Sequence, residues 1–136
     1  GKPRDVLEAN CLILQDLHSY LADSVAIDNA SHIIGEVKAE DHVEIKNSTV
    51  RGPIIIGQGT RIENSSVGPF TSLGTNCEIR NSEIAYSIVM DEAKILDVPV
   101  MIDWSLIGRN VVVHRADNRP KAINLILGDV SRVALN

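Results

Sequence analysis

The sequence predicts an all-β chain with one helix at its start: a left-handed parallel β-helix of about six triangular coils behind an amphipathic segment. Three observations carry this. Asn47-Ser48-Thr49-Val50 returns as Asn64-Ser65-Ser66-Val67 and again as Asn81-Ser82-Glu83-Ile84, seventeen residues apart each time. Around these copies the aliphatic residues Val37, Val43, Val50, Ile56, Ile62, Val67, Leu73, Ile79 and Ile84 recur mostly six apart and sometimes five. The apolar content is supplied by Ile, Val and Leu, with Phe70, Trp104, Tyr20 and Tyr86 as the aromatics of all 136 residues. A short fixed period means that no unit buries its apolar side alone, so each must stack on its neighbours. β-branched residues without aromatics suit many short, close strands.

The first element is of another kind. Pro3 fits the opening turn of a helix, where its missing N–H costs nothing. Leu7, Cys11, Leu14, Leu17 and Leu21 follow at three- and four-residue steps, which predicts one amphipathic helix over 4–22, ended by Ala22-Asp23-Ser24. The domain division that follows is a linker helix in 1–23 and a β-helix in 24–136. The helix has no partner in its own segment and is expected to dock on the repeat or on a neighbouring domain.

Two steps of six and one of five make each coil a triangle of three short strands, stacked at about 4.8 Å, so that six coils give a prism roughly 29 Å long. Prisms of this hexapeptide type wind left-handed, against the usual right-handed crossover. Gly57, Gly74, Asn47, Asn64, Asn76 and Asn81 fall at corners, where positive φ is cheap for Gly and Asn alone. Thr60 and Cys77 share a register that calls for a compact inward side chain. Tyr86-Ser87-Ile88-Val89 and Trp104-Ser105-Leu106-Ile107 echo the Asn-Ser phrase out of step, which predicts an extra side or a bulging loop at Leu96 to Val100, where Pro99 interrupts pairing. Beyond Val113, Arg115 to Lys121 reads as a polar loop, and the apolar run Ile123 to Leu127 is expected to close the prism.

Composition excludes several functions. A formal charge of −5 lacks the basic face that nucleic acid requires. No apolar run approaches the roughly 18–20 residues of a membrane span. Cys11 and Cys77 stand in no metal-type spacing, and with no secretory leader they read as free thiols of a cytoplasmic protein. Asn29-Ala30-Ser31, Asn47-Ser48-Thr49 and Asn64-Ser65-Ser66 match the glycosylation sequon, two of them only because the corner phrase has that form.

Four candidate sites remain. Gly57-Gln58-Gly59-Thr60-Arg61-Ile62 has the look of a nucleotidyltransferase phosphate loop, whose close glycines let backbone N–H groups cradle phosphates. It is in register with Leu73 to Ile79, which has no such character, and reads as a corner. His114, before the polar loop, could serve as the general base of a hexapeptide acyltransferase using acyl-CoA. His32, His42 and His114 are too dispersed for a zinc site. Arg109, Arg115, Arg119 and Lys121, with Arg132, make the C-terminal stretch locally basic. This is either an anion site for a phosphorylated effector or a charged cap over the last strand edge.

The chain also resembles a family. Gly1-Lys2-Pro3-Arg4-Asp5-Val6-Leu7-Glu8-Ala9-Asn10 is similar to the D-T-G-x-P-x-D-L-L-E-A-N segment that ends the catalytic domain of glucose-1-phosphate thymidylyltransferases. Ile45 to Pro53, Val67 to Gly74, Ser105 to Val113 and Leu127 to Ser131 resemble the β-helical tail of the long form of those enzymes. The resemblance implies a parent that joins dTTP to glucose 1-phosphate, giving dTDP-glucose and pyrophosphate with Mg2+. It implies too that the nucleotide loop, sugar-binding residues and metal aspartates lie in an N-terminal domain outside this sequence. On that reading the chain is a C-terminal assembly or regulatory domain with no catalytic residue and no metal or cofactor of its own. Its partners would be its own N-terminal nucleotidyltransferase domain and further copies of itself, not nucleic acid or membrane.

Overall fold

In the computed structural model, residues 2–115 and the backbone of 123–125 are described. Helix α1 spans Pro3–Leu14. The chain then winds as coils of three short strands. The first coil is β1 (Tyr20–Leu21), β2 (Ala26–Ile27) and β3 (His32–Ile34); the second is β4 (Val37–Ala39), β5 (Glu44–Lys46) and β6 (Thr49–Arg51). The third is β7 (Ile54–Ile56), β8 (Arg61–Glu63) and β9 (Ser66–Val67), and the fourth is β10 (Thr71–Leu73), β11 (Glu78–Arg80) and β12 (Glu83–Ala85). The fifth is β13 (Ile88–Val89), β14 (Lys94–Leu96) and β15 (Ile102–Asp103), and β16 (Leu106–Ile107) and β17 (Val112–Arg115) begin a sixth. Strand β18 (Ile123–Leu125) lies antiparallel on β17.

Equivalent strands stack in parallel into three sheets. One runs β1-β4-β7-β10-β13-β16, the second β2-β5-β8-β11-β14-β17-β18 and the third β3-β6-β9-β12-β15. The fold is therefore a parallel β-solenoid of about six coils with one N-terminal helix, as the repeat predicts. Register makes the core a set of aliphatic columns. Ile45, Ile62, Ile79, Ile95 and Val113 align down the second sheet, and Val50, Val67, Ile84 and Ile102 down the third. All of them are buried. Each strand turns one or two compact side chains inward, Ile54 and Ile56 together on β7, and packing this close leaves no room for a ring, which accounts for the aromatic depletion.

The corners carry the period. Asn47, Asn64 and Asn81 have φ of 45°, 49° and 49°, the left-handed region that Asn tolerates. The serine after each Asn is buried and does two things. Ser65 Oγ donates to the Glu63 carbonyl at 2.7 Å and accepts the Ser82 N–H at 3.2 Å. Ser48 Oγ donates to the Lys46 carbonyl and accepts the Ser65 N–H, and Ser82 Oγ donates to the Arg80 carbonyl and accepts the Val98 N–H. Each hydroxyl thus ties its own turn and the next coil.

Gly57 and Gly74 lie at corners for a different reason from the one their composition suggests. Neither has positive φ; a Cβ on Gly57 would strike the backbone of Gly74, and one on Gly74 would strike Asp91. Close stacking, not chain reversal, requires glycine there. Positive φ at that edge falls instead on His42, Gly59, Asn76, Glu92 and Asn110.

Two further expectations are corrected. The helix ends at Leu14, not at 22, because Tyr20 and Leu21 pair with Lys38 and Ala39. That pairing covers the edge of β4 and satisfies backbone groups that a continued helix would have left open. At Leu96 to Val100 the alternative of an extra side falls and that of a bulging loop holds. Ser72 pairs with Ile88 sixteen residues on and Ile84 with Ile102 eighteen on, so one short spacing is followed by one long. The loop 97–101 takes up the difference without breaking the stack.

Replacing Ser65 by Ala should lower stability by about 1–3 kcal/mol, since the Ser82 N–H is left buried and unpaired. Urea unfolding with an unchanged slope checks it. Acid should act first at the start of the solenoid. Asp28 accepts the Ser31 hydroxyl and the Asn47 N–H, and Glu36 accepts the Ser19 hydroxyl and N–H; both carboxyls are held below their ordinary pKa by these bonds. Groups with depressed folded-state pKa stabilise above the ordinary carboxylate range, and that contribution is lost as pH falls through the lower folded value. The Asn47 and Ser19 amides should therefore lose exchange protection at a higher pH than the Ser65 and Ser82 amides, which are held by hydroxyls.

Candidate functional site

Helix α1 is laid along the outer face of the first sheet. Leu7 and Leu14 are buried against that sheet, and the Ser72 hydroxyl meets Asn10 Oδ1 at 2.7 Å. The helix does not cover the first coil, where Tyr20, Leu21 and Ile34 remain exposed. At the other end, the Arg4 guanidinium sits 5.5 Å over the ring of Trp104 while ion-pairing with Glu8 at 3.5 Å.

Trp104 is the end of a stack. Phe70 and Tyr86 have ring centroids 5.5 Å apart with planes at 20°, and Tyr86 and Trp104 follow at 5.4 Å and 16°. All three have positive φ, between 47° and 52°. They occupy one corner, between the third sheet and the first, in the slot that Asn fills at the neighbouring edge. The residue after each is a buried hydroxyl: Thr71, Ser87 and Ser105 donate to the Pro69, Ala85 and Asp103 carbonyls. The out-of-step phrases in the sequence are thus the same corner chemistry on a second edge. Their spacing of sixteen and eighteen, each ring followed by a small hydroxyl, was the available signal for the stack, and composition alone does not carry it.

Between this ladder and the helix runs a mostly apolar cleft of about 480 Å³, lined by Cys11, Leu12 and Gln15 on one side and the three rings on the other, with Glu8 at its rim. Leu12 is 64% exposed although it faces the rings. Burial pushes the Cys11 thiol above its ordinary pKa, and the Glu8 carboxylate adds to the shift, so Cys11 is a sluggish nucleophile.

A second groove, of about 710 Å³, follows the Asn-Ser edge between Ala30 and the Val98-Pro99-Val100 loop. It is lined by amides and hydroxyls, and its asparagines are partly spent on each other and on the loop, Asn47 Nδ2 reaching Asn64 Oδ1 at 2.7 Å and Asn81 Nδ2 reaching Asp97 Oδ1 at 2.6 Å.

Among the described residues the sequence candidates do not converge. The Gly57 to Ile62 stretch is a corner whose amides are occupied: the Gly57 N–H bonds the Leu73 carbonyl, the Gly59 N–H that of Asp41 and the Thr60 N–H that of Gly57. No cradle for phosphate is left. Cys77 is buried beside Thr60, whose hydroxyl accepts its N–H, and desolvation raises its thiol pKa. His114 lies on β17 with Nδ1 at 3.2 Å from the Arg115 carbonyl. Among the described residues no carboxylate is bonded to it to orient it as a base. His32 stands on the third sheet and His42 at the first corner, and no three His, Cys, Asp or Glu side chains gather as metal ligands among the described residues. Arg109 precedes β17 and Arg115 ends it, so the two are held apart at opposite ends of one strand. Arg119, Lys121 and Arg132 lie outside the described residues.

Comparison with known proteins agrees with the resemblance read from the sequence. The chain is 44% identical over its whole length to a glucose-1-phosphate thymidylyltransferase from Streptomyces griseus, covering 38% of that protein. It is 41% identical to one from Streptomyces antibioticus, over 99% of this chain and 37% of that protein. A low-salt glycan biosynthesis nucleotidyltransferase from Haloferax volcanii is 32% identical over 99% of this chain, covering 38% of its own length. The chain thus spans little more than a third of the curated relatives it matches, and the match falls on the C-terminal part of the thymidylyltransferases. No protein-family model matches. A solved protein from Desulfovibrio desulfuricans G20 aligns with 86% of this chain and 42% of its own at a TM-score of 0.28 and 11% identity, too low to carry an argument. No described helix is long and apolar enough to cross a membrane.

The aromatic corner has its own test. Tyr86→Asn loses the stacking on Phe70 and Trp104, about 1–3 kcal/mol for the two pairs, but relieves about 1–2 kcal/mol of left-handed strain. Tyr86→Ala loses the same stacking and keeps the strain that Tyr86 already carries. Urea unfolding should therefore rank the alanine variant clearly below the asparagine variant.

Proposed function

We propose that this chain is the C-terminal assembly or regulatory β-helix of a sugar nucleotidyltransferase. The whole polypeptide would convert dTTP and glucose 1-phosphate to dTDP-glucose and pyrophosphate, and the β-helix itself would be non-catalytic. The observation that carries this is the end-to-end match of the chain to about 38% of two proteins named for that reaction. A third relative, named as a nucleotidyltransferase of glycan biosynthesis, supports the broader class. Mg2+ and both substrates would be bound by the preceding domain, and further copies of the polypeptide would assemble through the solenoid in the cytoplasm.

Physical reasons support a non-catalytic role. The solenoid interior is a closed aliphatic column, and the corner amides that could hold an anion at Gly57 are spent on neighbouring coils. The acyltransferase reading is not favoured, since catalysis by His114 needs an orienting partner as well as a base, and its ring meets only a neighbouring carbonyl among the described residues.

The test compares two proteins. The polypeptide encoded by the complete reading frame should release pyrophosphate in a dTTP-, glucose 1-phosphate- and Mg2+-dependent manner, and the 136-residue chain should release none. Turnover by the short chain, or a folded long product without activity, would sink the proposal.

A further inference from the structure

We infer that the cleft between α1 and the Phe70-Tyr86-Trp104 ladder is the seat of the nucleotidyltransferase domain of the same polypeptide. This rests on the reading under Proposed function and adds to it a surface and its residues.

The first argument is where the chain enters. Arg4, one residue into the helix after Pro3, holds its guanidinium over Trp104. Any chain preceding Pro3 therefore arrives beside the top of the ladder, at the mouth of the cleft. The relatives matched here carry more than half of their length outside the match, which falls on their C-terminal part. A unit larger than the solenoid would thus be tethered within a few residues of this surface, at an effective concentration that makes even a modest apolar contact persist.

The second argument is the character of the surface. The rings are only half-buried and Leu12 is exposed, so the helix leaves an apolar strip open along its own edge. Three aromatics in left-handed backbone cost strain that Asn would avoid, and an intramolecular stack alone recovers only part of it. A further apolar cover offsets the rest.

The second and third sheets suit that partner poorly. The second sheet presents Glu44, Arg61, Glu78 and Lys94 in one row, already paired in part through Arg61–Glu78 and Arg80–Glu78 contacts at 3.4 Å. The third sheet borders the amide and hydroxyl groove. Both give up well-hydrated groups on docking, whereas the cleft gives up apolar surface.

Cys11 reports on occupancy. In the long polypeptide, alkylation of Cys11, located by peptide mapping, should be at least about tenfold slower than in the 136-residue chain. Cys77, buried in the core, is the internal control for unfolding. Leu12→Asp in the long polypeptide should restore Cys11 labelling to the rate of the short chain. Equal rates in the two wild-type proteins overturn the inference, as does protection that survives Leu12→Asp. Protection of the short chain that grows with its own concentration assigns the cleft to a second copy and overturns it too. Pyrophosphate release by the same preparation separates the two levels. An active polypeptide with unprotected Cys11 refutes the docking alone, and an inactive folded one removes the docking together with the functional reading.

Discussion

Everything in this molecule depends on one small relay: a buried corner hydroxyl that donates to the carbonyl two residues behind it and accepts an N–H from the coil above. At Ser65 the two bonds measure 2.7 Å and 3.2 Å. Corners are where a solenoid is weakest, because the chain turns too sharply there for strand-to-strand pairing to use every backbone group. Each orphaned N–H inside the prism would cost about 1–3 kcal/mol. The hydroxyl removes that cost at two levels at once, within its coil and between coils. It is small enough to be buried at the corner beside the aliphatic columns.

That relay explains which parts of the fold were legible. The Asn-Ser phrase, the six-and-five spacing of aliphatics and the absence of rings from the core are all local consequences of one coil's geometry, and geometry repeated five or six times becomes visible as a period. The columns of Ile45, Ile62 and Ile79 could be read for this reason. The end of the helix could not. Leu17 and Leu21 continue the helical spacing, but Tyr20 and Leu21 pair with Lys38 and Ala39 instead, a contact eighteen residues away that no local pattern announces. The slip after the fourth coil was legible as a slip and misjudged in size, since a short spacing and a long one nearly cancel. For the site, His114 and the arginines were singled out by residue type, yet orientation and convergence are properties of the fold. Arg109 before β17 and Arg115 at its end cannot be told from a cluster by composition.

The three edges of the prism share one grammar, a left-handed residue followed by a compact side chain, and differ in what fills the first position. At one edge it is Asn, whose amides bond one another or a loop carboxylate and leave a polar groove. At another it varies among His42, Gly59, Asn76, Glu92 and Asn110, where Gly57 and Gly74 allow the coils to approach. At the third it is Phe70, Tyr86 and Trp104, rings that cannot enter the core and so stack outside it. The backbone tolerates the substitution because the relay beneath it is unchanged: Ser87 still donates to Ala85 and accepts the Ser105 N–H.

A prism built from identical coils would be indistinguishable on every side, and the assembly role proposed above calls for sides that differ. Varying only the left-handed residue supplies the difference without touching the core columns or the ladder hydrogen bonds. The helix then uses it: Leu7 and Leu14 close the first sheet, Arg4 fixes the start of the helix to Trp104, and the strip that remains open lies between the helix and the rings. The sidedness of the solenoid thus comes from positions that a packing argument alone would assign to corners and set aside. The residues that stabilise the stack and those that give it a direction stand next to each other in the chain, a buried one after an exposed or half-buried one.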